Sequence, residues 1–120
     1  MIQFYHVTLS VKDLEASIKF YHDIVGLRVL RRFPARQGGE IAFLGSEDIG
    51  GTQVEISGRT EGSVGIRVSI GFVAESLEDT MTFIRKKGYE IDGDIICPNP
   101  QTKFFFVKDP DGYRVQFINA

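Results

Sequence analysis

Among its 120 residues the chain has no tryptophan, a single cysteine and two histidines. With Cys97 alone, no intrachain disulfide can form, and a reducing compartment, the cytoplasm, is the expected location. Cysteine-built metal clusters are excluded by the same count. A basic excess is missing as well: 14 Lys and Arg stand against 16 Asp and Glu, a formal net charge of −2, so no positive field exists to hold nucleic acid or an anionic membrane. No apolar run approaches the roughly 20 residues that span a bilayer. The opening MIQFYHVTLSV enters an alternating pattern at once, without the basic start and apolar stretch of a signal peptide. Glycine-rich phosphate loops and a serine nucleophile with triad partners are also absent.

What remains is 42% hydrophobic and 25% charged, the make-up of one domain over 1–120 with a real core. FYHVTLSV alternates as a strand, with Tyr5, Val7, Leu9 and Val11 on one face and His6, Thr8 and Ser10 on the other. Asp13 then caps a helix whose apolar stripe is Leu14, Ile18, Tyr21 and Val25, ending at Gly26. LRVLRRF, EIAFLGS and TQVEIS follow as strands, separated by the turn formers PARQGG and EDIGG. Arg28, Arg31, Arg32 and Arg36 cluster in this region, and a solvated strand-and-loop surface accounts for them better than an anion contact. After the loop GRTEGSVG the order starts again. GIRVSIGFV reads as a strand, SLEDTMTFIRKKG as a helix capped by Ser76 and stopped at Gly88, and YEIDGDIIC, KFFFVKD and YRVQFI as strands. The turn KDPDGY before the last strand combines Asp109 and Asp111, which can bond their own backbone, with Pro110 and with Gly112 for a positive φ.

The chain therefore reads as two repeats of strand, helix and three strands, about 1–60 and about 64–120. A shift of 63 positions carries the cap Asp13 onto Ser76, Leu14 onto Leu77 and His6 onto Ser69; a shift of 61 carries Val54 onto Val115 and Glu55 onto Gln116. Putting the apolar parity of each strand under the helices leaves a polar parity behind: His6, Thr8 and Ser10, then Gln53, Glu55 and Ser57, then Arg67 and Ser69, then Arg114 and Gln116. Such a face is either solvent surface or the wall of a binding cleft, and periodicity does not choose. His22 has no partner at useful spacing and reads as a solvated helix residue. Of Phe43, Phe104, Phe105 and Phe106, about half must be core, since neighbours on a strand point to opposite faces.

HVTLSVKDLEASIKFYHDIVGL at the start, VEI closing the first half and FFFVKDPDGYRVQFI at the end resemble the vicinal oxygen chelate superfamily, which includes glyoxalase I, bleomycin-resistance proteins, extradiol dioxygenases and methylmalonyl-CoA epimerase. The resemblance covers nearly the whole chain. It implies an α+β fold in which two βαβββ repeats form a curved mixed sheet, with a divalent metal commonly on its concave face. The family's metal positions fall on His6, Glu55, Ser69 and Gln116. Where glyoxalase I of bacteria usually carries His, Glu, His and Glu, this chain keeps the imidazole and one carboxylate and replaces the others by a hydroxyl and an amide, which weakens a metal site. The resemblance implies His6, Glu55 and Gln116 as metal ligands and Glu55 as the catalytic base, because an amide at 116 cannot carry a proton. Ser69, Arg67, Arg114 and Thr8 become ligand-binding residues.

Two functions stay open on this reading. One is a glyoxalase-like lyase or isomerase using nickel, cobalt, zinc, iron or manganese at a degenerate site. The other is a metal-free small-ligand binder of the bleomycin-resistance type. A small molecule is the expected partner in both, and a homodimer the expected assembly. In the glyoxalase arrangement His6 and Glu55 of one chain meet Ser69 and Gln116 of the other; pairing within one chain is the alternative.

Overall fold

Two side-chain caps, 63 positions apart, start the two helices. Asp13 accepts a hydrogen bond from the Ala16 backbone at 3.2 Å and Ser76 accepts one from Asp79 at 3.2 Å, so each satisfies a donor that the first helical turn leaves open. In this computed structural model, which describes residues 6–35, 38–46, 53–58 and 68–119, the helices are α1, Leu14–Phe20, and α2, Leu77–Lys86. The strands are β1 His6–Ser10, β2 Arg28–Pro34, β3 Glu40–Gly45, β4 Gln53–Ser57, β5 Ser69–Ala74, β6 Ile91–Asn99, β7 Thr102–Lys108 and β8 Arg114–Asn119. They fall into two units, Met1–Ser63 and Val64–Ala120, each with its own four-stranded sheet, ordered β1-β4-β3-β2 and β5-β8-β7-β6. In both units the first and last strands lie side by side in parallel, and every other neighbour is antiparallel. This is the mixed α+β architecture of two βαβββ repeats. Among the described residues no helix is long and apolar enough to cross a membrane.

In the first unit the register builds apolar rows across the sheet. Leu9 sits beside Ile56 and Ile56 beside Ala42, with Val54 and Leu44 paired one step along, and all five are buried. Helix α1 packs against β4. Its buried side chains are Ser17, Phe20, Tyr21 and Ile24, which corrects the stripe expected from Leu14, Ile18, Tyr21 and Val25. These four follow i, i+3, i+4, i+7 spacing. A stripe drawn from apolar letters passes over Ser17, which is fully buried although polar. Beyond Phe20 the helix widens into a π-type turn, Tyr21–Val25, and Gly26 closes it at φ 84°. His22 is exposed, as expected, and its Nδ1 donates to the Leu27 carbonyl at 3.1 Å.

The second unit repeats the plan. Val115 and Phe117 of β8 pair with Val107 and Phe105 of β7, all four are buried, and Leu77, Met81 and Ile84 of α2 supply the helix side. Phe105 and Phe117 stack with centroids 5.3 Å apart. Burying each such side chain contributes about 1.5–3 kcal/mol, so these rows carry the stability of the unit. Val68 departs from the expected covering of the helix face: it is 50% exposed, lying just before β5 begins at Ser69.

The arginine cluster divides between the two faces of the first sheet. Arg32 pairs with Ala42 on the helix side and reaches Glu40 through two parallel hydrogen bonds, of 2.8 and 3.1 Å, and Glu15 of α1 through a third. Arg31 points the other way. Arg36 lies outside the described residues. The Arg32 guanidinium holds the Glu40 carboxyl below the usual carboxylate range. A carboxyl depressed on folding stabilises the fold above its unfolded pKa, and that increment is lost as the pH falls through the lower folded value. We expect Glu40→Gln to flatten the decline of Tm on acidification below about pH 4.5, the ordinary carboxylate value. High salt should shrink the difference between the two proteins. Parallel Tm curves for both would refute the assignment.

Candidate functional site

The face of the first sheet turned away from α1 carries one row in register across all four strands: Thr8 on β1, Glu55 on β4, Phe43 on β3 and Arg31 on β2. His6, two residues before Thr8, shares that face. Its Nε2 stands 3.5 Å from Glu55 Oε1, and the two side chains keep 28% and 16% of their exposure, enough for a ligand to reach them. The Thr8 hydroxyl donates to the same oxygen, Oε1, in a short hydrogen bond. Oε2 makes no hydrogen bond among the described residues. Phe43 is buried although it lies on the polar face. The His6 ring meets it edge-on at 5.2 Å, Phe33 stacks beside it at 6.1 Å, and the Arg31 guanidinium covers it at 4.1 Å from the ring centre. The polar parity is thus an aromatic floor carrying an imidazole, a carboxylate and a cation.

The second unit builds the equivalent row from Gly71 on β5, Gln116 on β8, Phe106 on β7 and Asp92 on β6. Phe106 is buried, with Phe104 edge-on at 5.6 Å and the Arg114 guanidinium 3.7 Å from its ring centre. Arg114 makes no hydrogen bond or ion pair among the described residues, so its N–H donors remain available. Ser69 pairs with Arg114 and is exposed. The turn before β8 fixes where that row begins. Asp109, buried, accepts from the backbone of Asp111 at 3.0 Å and of Tyr113 at 2.9 Å, and Gly112 takes φ 98°.

The structure therefore brings together His6, Glu55 and Thr8 in the first unit, and Ser69 and Arg114 at one level, with Gln116 one step along, in the second. Arg67 lies outside the described residues. Thr8, expected to bind ligand, spends its hydroxyl on Glu55. Sequence reasoning did not find the guanidinium-covered rings. The signal for Arg31 was hidden by a bulge at Leu30, which pairs Val29 with Leu44 but Arg31 with Phe43. Gly71, a glycine inside a strand beside Gln116, was also passed over, and such a glycine is itself a sign of close approach.

Two parallel-edged βαβββ modules, each with an aromatic floor under a polar row, define a glyoxalase-type fold. A family model described as the Glyoxalase/Bleomycin resistance protein/Dioxygenase superfamily matches residues 3–117, and the chain belongs to that superfamily. It is similar to a lactoylglutathione lyase of Haemophilus influenzae, at 34% identity over 125 residues covering 98% of this chain and 92% of the relative. Among solved structures it resembles the trypanothione-dependent glyoxalase I of Leishmania major, with a TM-score of 0.81 at 27% identity over 99% of this chain and 87% of that one. A glyoxalase I mutant from Zea mays superposes with a TM-score of 0.84 at 25% identity, covering 97% of this chain and 44% of the other.

Because Asp109 is buried and serves two backbone donors, Asp109→Ala leaves both without it and should destabilise the protein by about 1–3 kcal/mol. Asp109→Asn, which keeps an oxygen in place, should lose less. Urea denaturation of the three proteins is the check, and an unchanged midpoint for Asp109→Ala would show that the turn does not depend on this carboxylate.

Proposed function

We propose that the chain is a glyoxalase-like lyase or isomerase acting on a small molecule, with Glu55 as the group that moves the proton. The observation that carries this reading is the imidazole of His6 within 3.5 Å of the Glu55 carboxylate on an accessible sheet face, in a chain 34% identical to a lactoylglutathione lyase. An imidazole nitrogen and a carboxylate are donors that nickel, cobalt, zinc, iron and manganese accept, and the pair fits an open site completed by water. Among the described residues no group of three His, Cys, Asp or Glu converges. The site is accordingly a weak one: His6 and Glu55 supply the strong donors, and Gln116, in the second unit, would bring at most a neutral oxygen. A bound divalent ion would polarise an oxygen of the substrate.

The chain's own residues do the rest. Thr8 holds Oε1 of Glu55, which leaves Oε2 to take a proton from substrate carbon and return it. Gln116 has no usable proton equilibrium near neutrality and orients an oxygen by hydrogen bonding. Arg114, seated on Phe106, offers its N–H edge to an anionic ligand oxygen, and exposed Ser69 adds a hydroxyl beside it. The working assembly is a homodimer, to be checked by light scattering at high micromolar concentration; a mass of one chain there would refute it.

Elemental analysis of the purified protein, nickel titration calorimetry and an assay of lactoylglutathione formation test the reading together. His6→Ala and Glu55→Gln should each weaken nickel binding by at least about tenfold, and Glu55→Gln should abolish turnover. The double change Ser69→His with Gln116→Glu adds an imidazole and a charge and should strengthen nickel, cobalt and zinc binding over the starting protein, with Gln116→Glu alone doing less. Equal affinity in all of them would overturn the assignment. A protein that binds small anions but neither metal nor lactoylglutathione precursors would be a binder of the bleomycin-resistance type.

A further inference from the structure

The equivalent places Thr8 and Gly71 do opposite things for their neighbours. Each lies on the first strand of its unit, directly beside the polar residue of the last strand, Thr8 beside Glu55 and Gly71 beside Gln116. At the first place a hydroxyl reaches across to Glu55 Oε1. At the second there is no side chain, and the Gln116 carboxamide occupies the space: a β-carbon built on Gly71 would stand 2.8 Å from Gln116 Oε1 and 3.9 Å from its Cδ. Conformation does not explain the glycine, since Gly71 lies in strand β5 and is not among the positive-φ glycines. Space does. Real β-carbons essentially never come so near a neighbouring atom, so the amide keeps this seat only while residue 71 lacks one.

We propose that Gly71 and Thr8 are the positioning residues of the two rows: Thr8 aims the Glu55 carboxylate by a hydrogen bond, and Gly71 aims the Gln116 carboxamide by leaving a seat for its oxygen. The amide oxygen is the far end of a flexible side chain. A methyl group at 71 is therefore accommodated by moving the amide, not the backbone, and its effect falls on the site while the fold is kept. The consequence for ligands rests on the reading that Glu55 and Gln116 are ligand-facing donors; the seating itself does not.

Two readouts separate these. The side-chain amide resonances of Gln116, assigned by their loss in Gln116→Ala, report the seat without any ligand. Gly71→Ala should shift them while leaving Tm unchanged or slightly raised, and unmoved resonances would overturn the proposal. Nickel affinity and kcat/KM report the consequence. Gly71→Ala should weaken nickel binding by about 10- to 100-fold, as loss of a supporting interaction around a metal ligand does, and should have no effect in a Gln116→Ala background, where there is no amide to displace. Thr8→Val should weaken binding comparably and Thr8→Ser should restore it. A Gly71→Ala effect of equal size with and without Gln116 would also overturn the proposal. Shifted amide resonances with unchanged nickel affinity would leave the seat standing and refute the reading of Gln116 as a donor.

Discussion

Everything on the polar faces depends on the parallel pairing of each unit's first strand with its last. Parallel neighbours can be joined only by a crossover, so the helix and two further strands between them must be accommodated before the pair closes. Once it has closed, register decides the rest. Because side chains alternate along a strand, placing Leu9 beside Ile56 on the buried side forces Thr8 beside Glu55 on the other, and placing Ile70 beside Val115 forces Gly71 beside Gln116. A slip of one residue would bury the carboxylate and expose the isoleucine. The apolar rows, each side chain contributing about 1.5–3 kcal/mol, are what hold the polar rows in place.

Much of this was legible in the sequence because it is local chemistry. Asp13 and Ser76 begin helices for a reason contained in one turn, and KDPDGY makes its turn with its own side chains. The repeat shifts of 63 and 61 were legible too, and the observed pairs Thr8 with Glu55 and Gly71 with Gln116 reproduce them. What could not be read depends on partners distant in the chain. That the Thr8 hydroxyl donates to Glu55 requires knowing that β1 lies next to β4, 47 positions away. Ser17 looked like a gap in an apolar stripe, yet it is fully buried. Arg31 reads as one of four clustered arginines until the bulge at Leu30 turns it onto Phe43, away from Arg32.

The two aromatic floors share a physical logic. A phenylalanine on the face opposite the helix would ordinarily lie open to water, and Phe43 and Phe106 instead keep only 4% and 8% of their exposure. Each is covered by a guanidinium, whose flat cation is weakly hydrated and is attracted to the ring face. The two arginines come from different positions, Arg31 from the edge strand β2 and Arg114 from β8 itself, so the same cover is reached from non-equivalent places in the two units. The floor lowers the polarity next to Glu55 and Gln116 without removing water from their tips, and weak local screening strengthens any hydrogen bond or ion contact made there.

That setting bears on why an amide suits position 116. Its oxygen occupies the space that a β-carbon on Gly71 would take, and Gln116 pairs with the buried Phe106. A carboxylate in the same seat would give up hydration that a neutral amide never had, and Gly71 has no side-chain donor to compensate it. At Glu55 the situation differs: the Thr8 hydroxyl and the His6 imidazole both face Oε1 and repay the charge. Charge is thus kept where a donor has been provided for it and dropped where the neighbour is a glycine. On the proposed reading proton transfer therefore belongs to the first unit, and binding without proton transfer to the second.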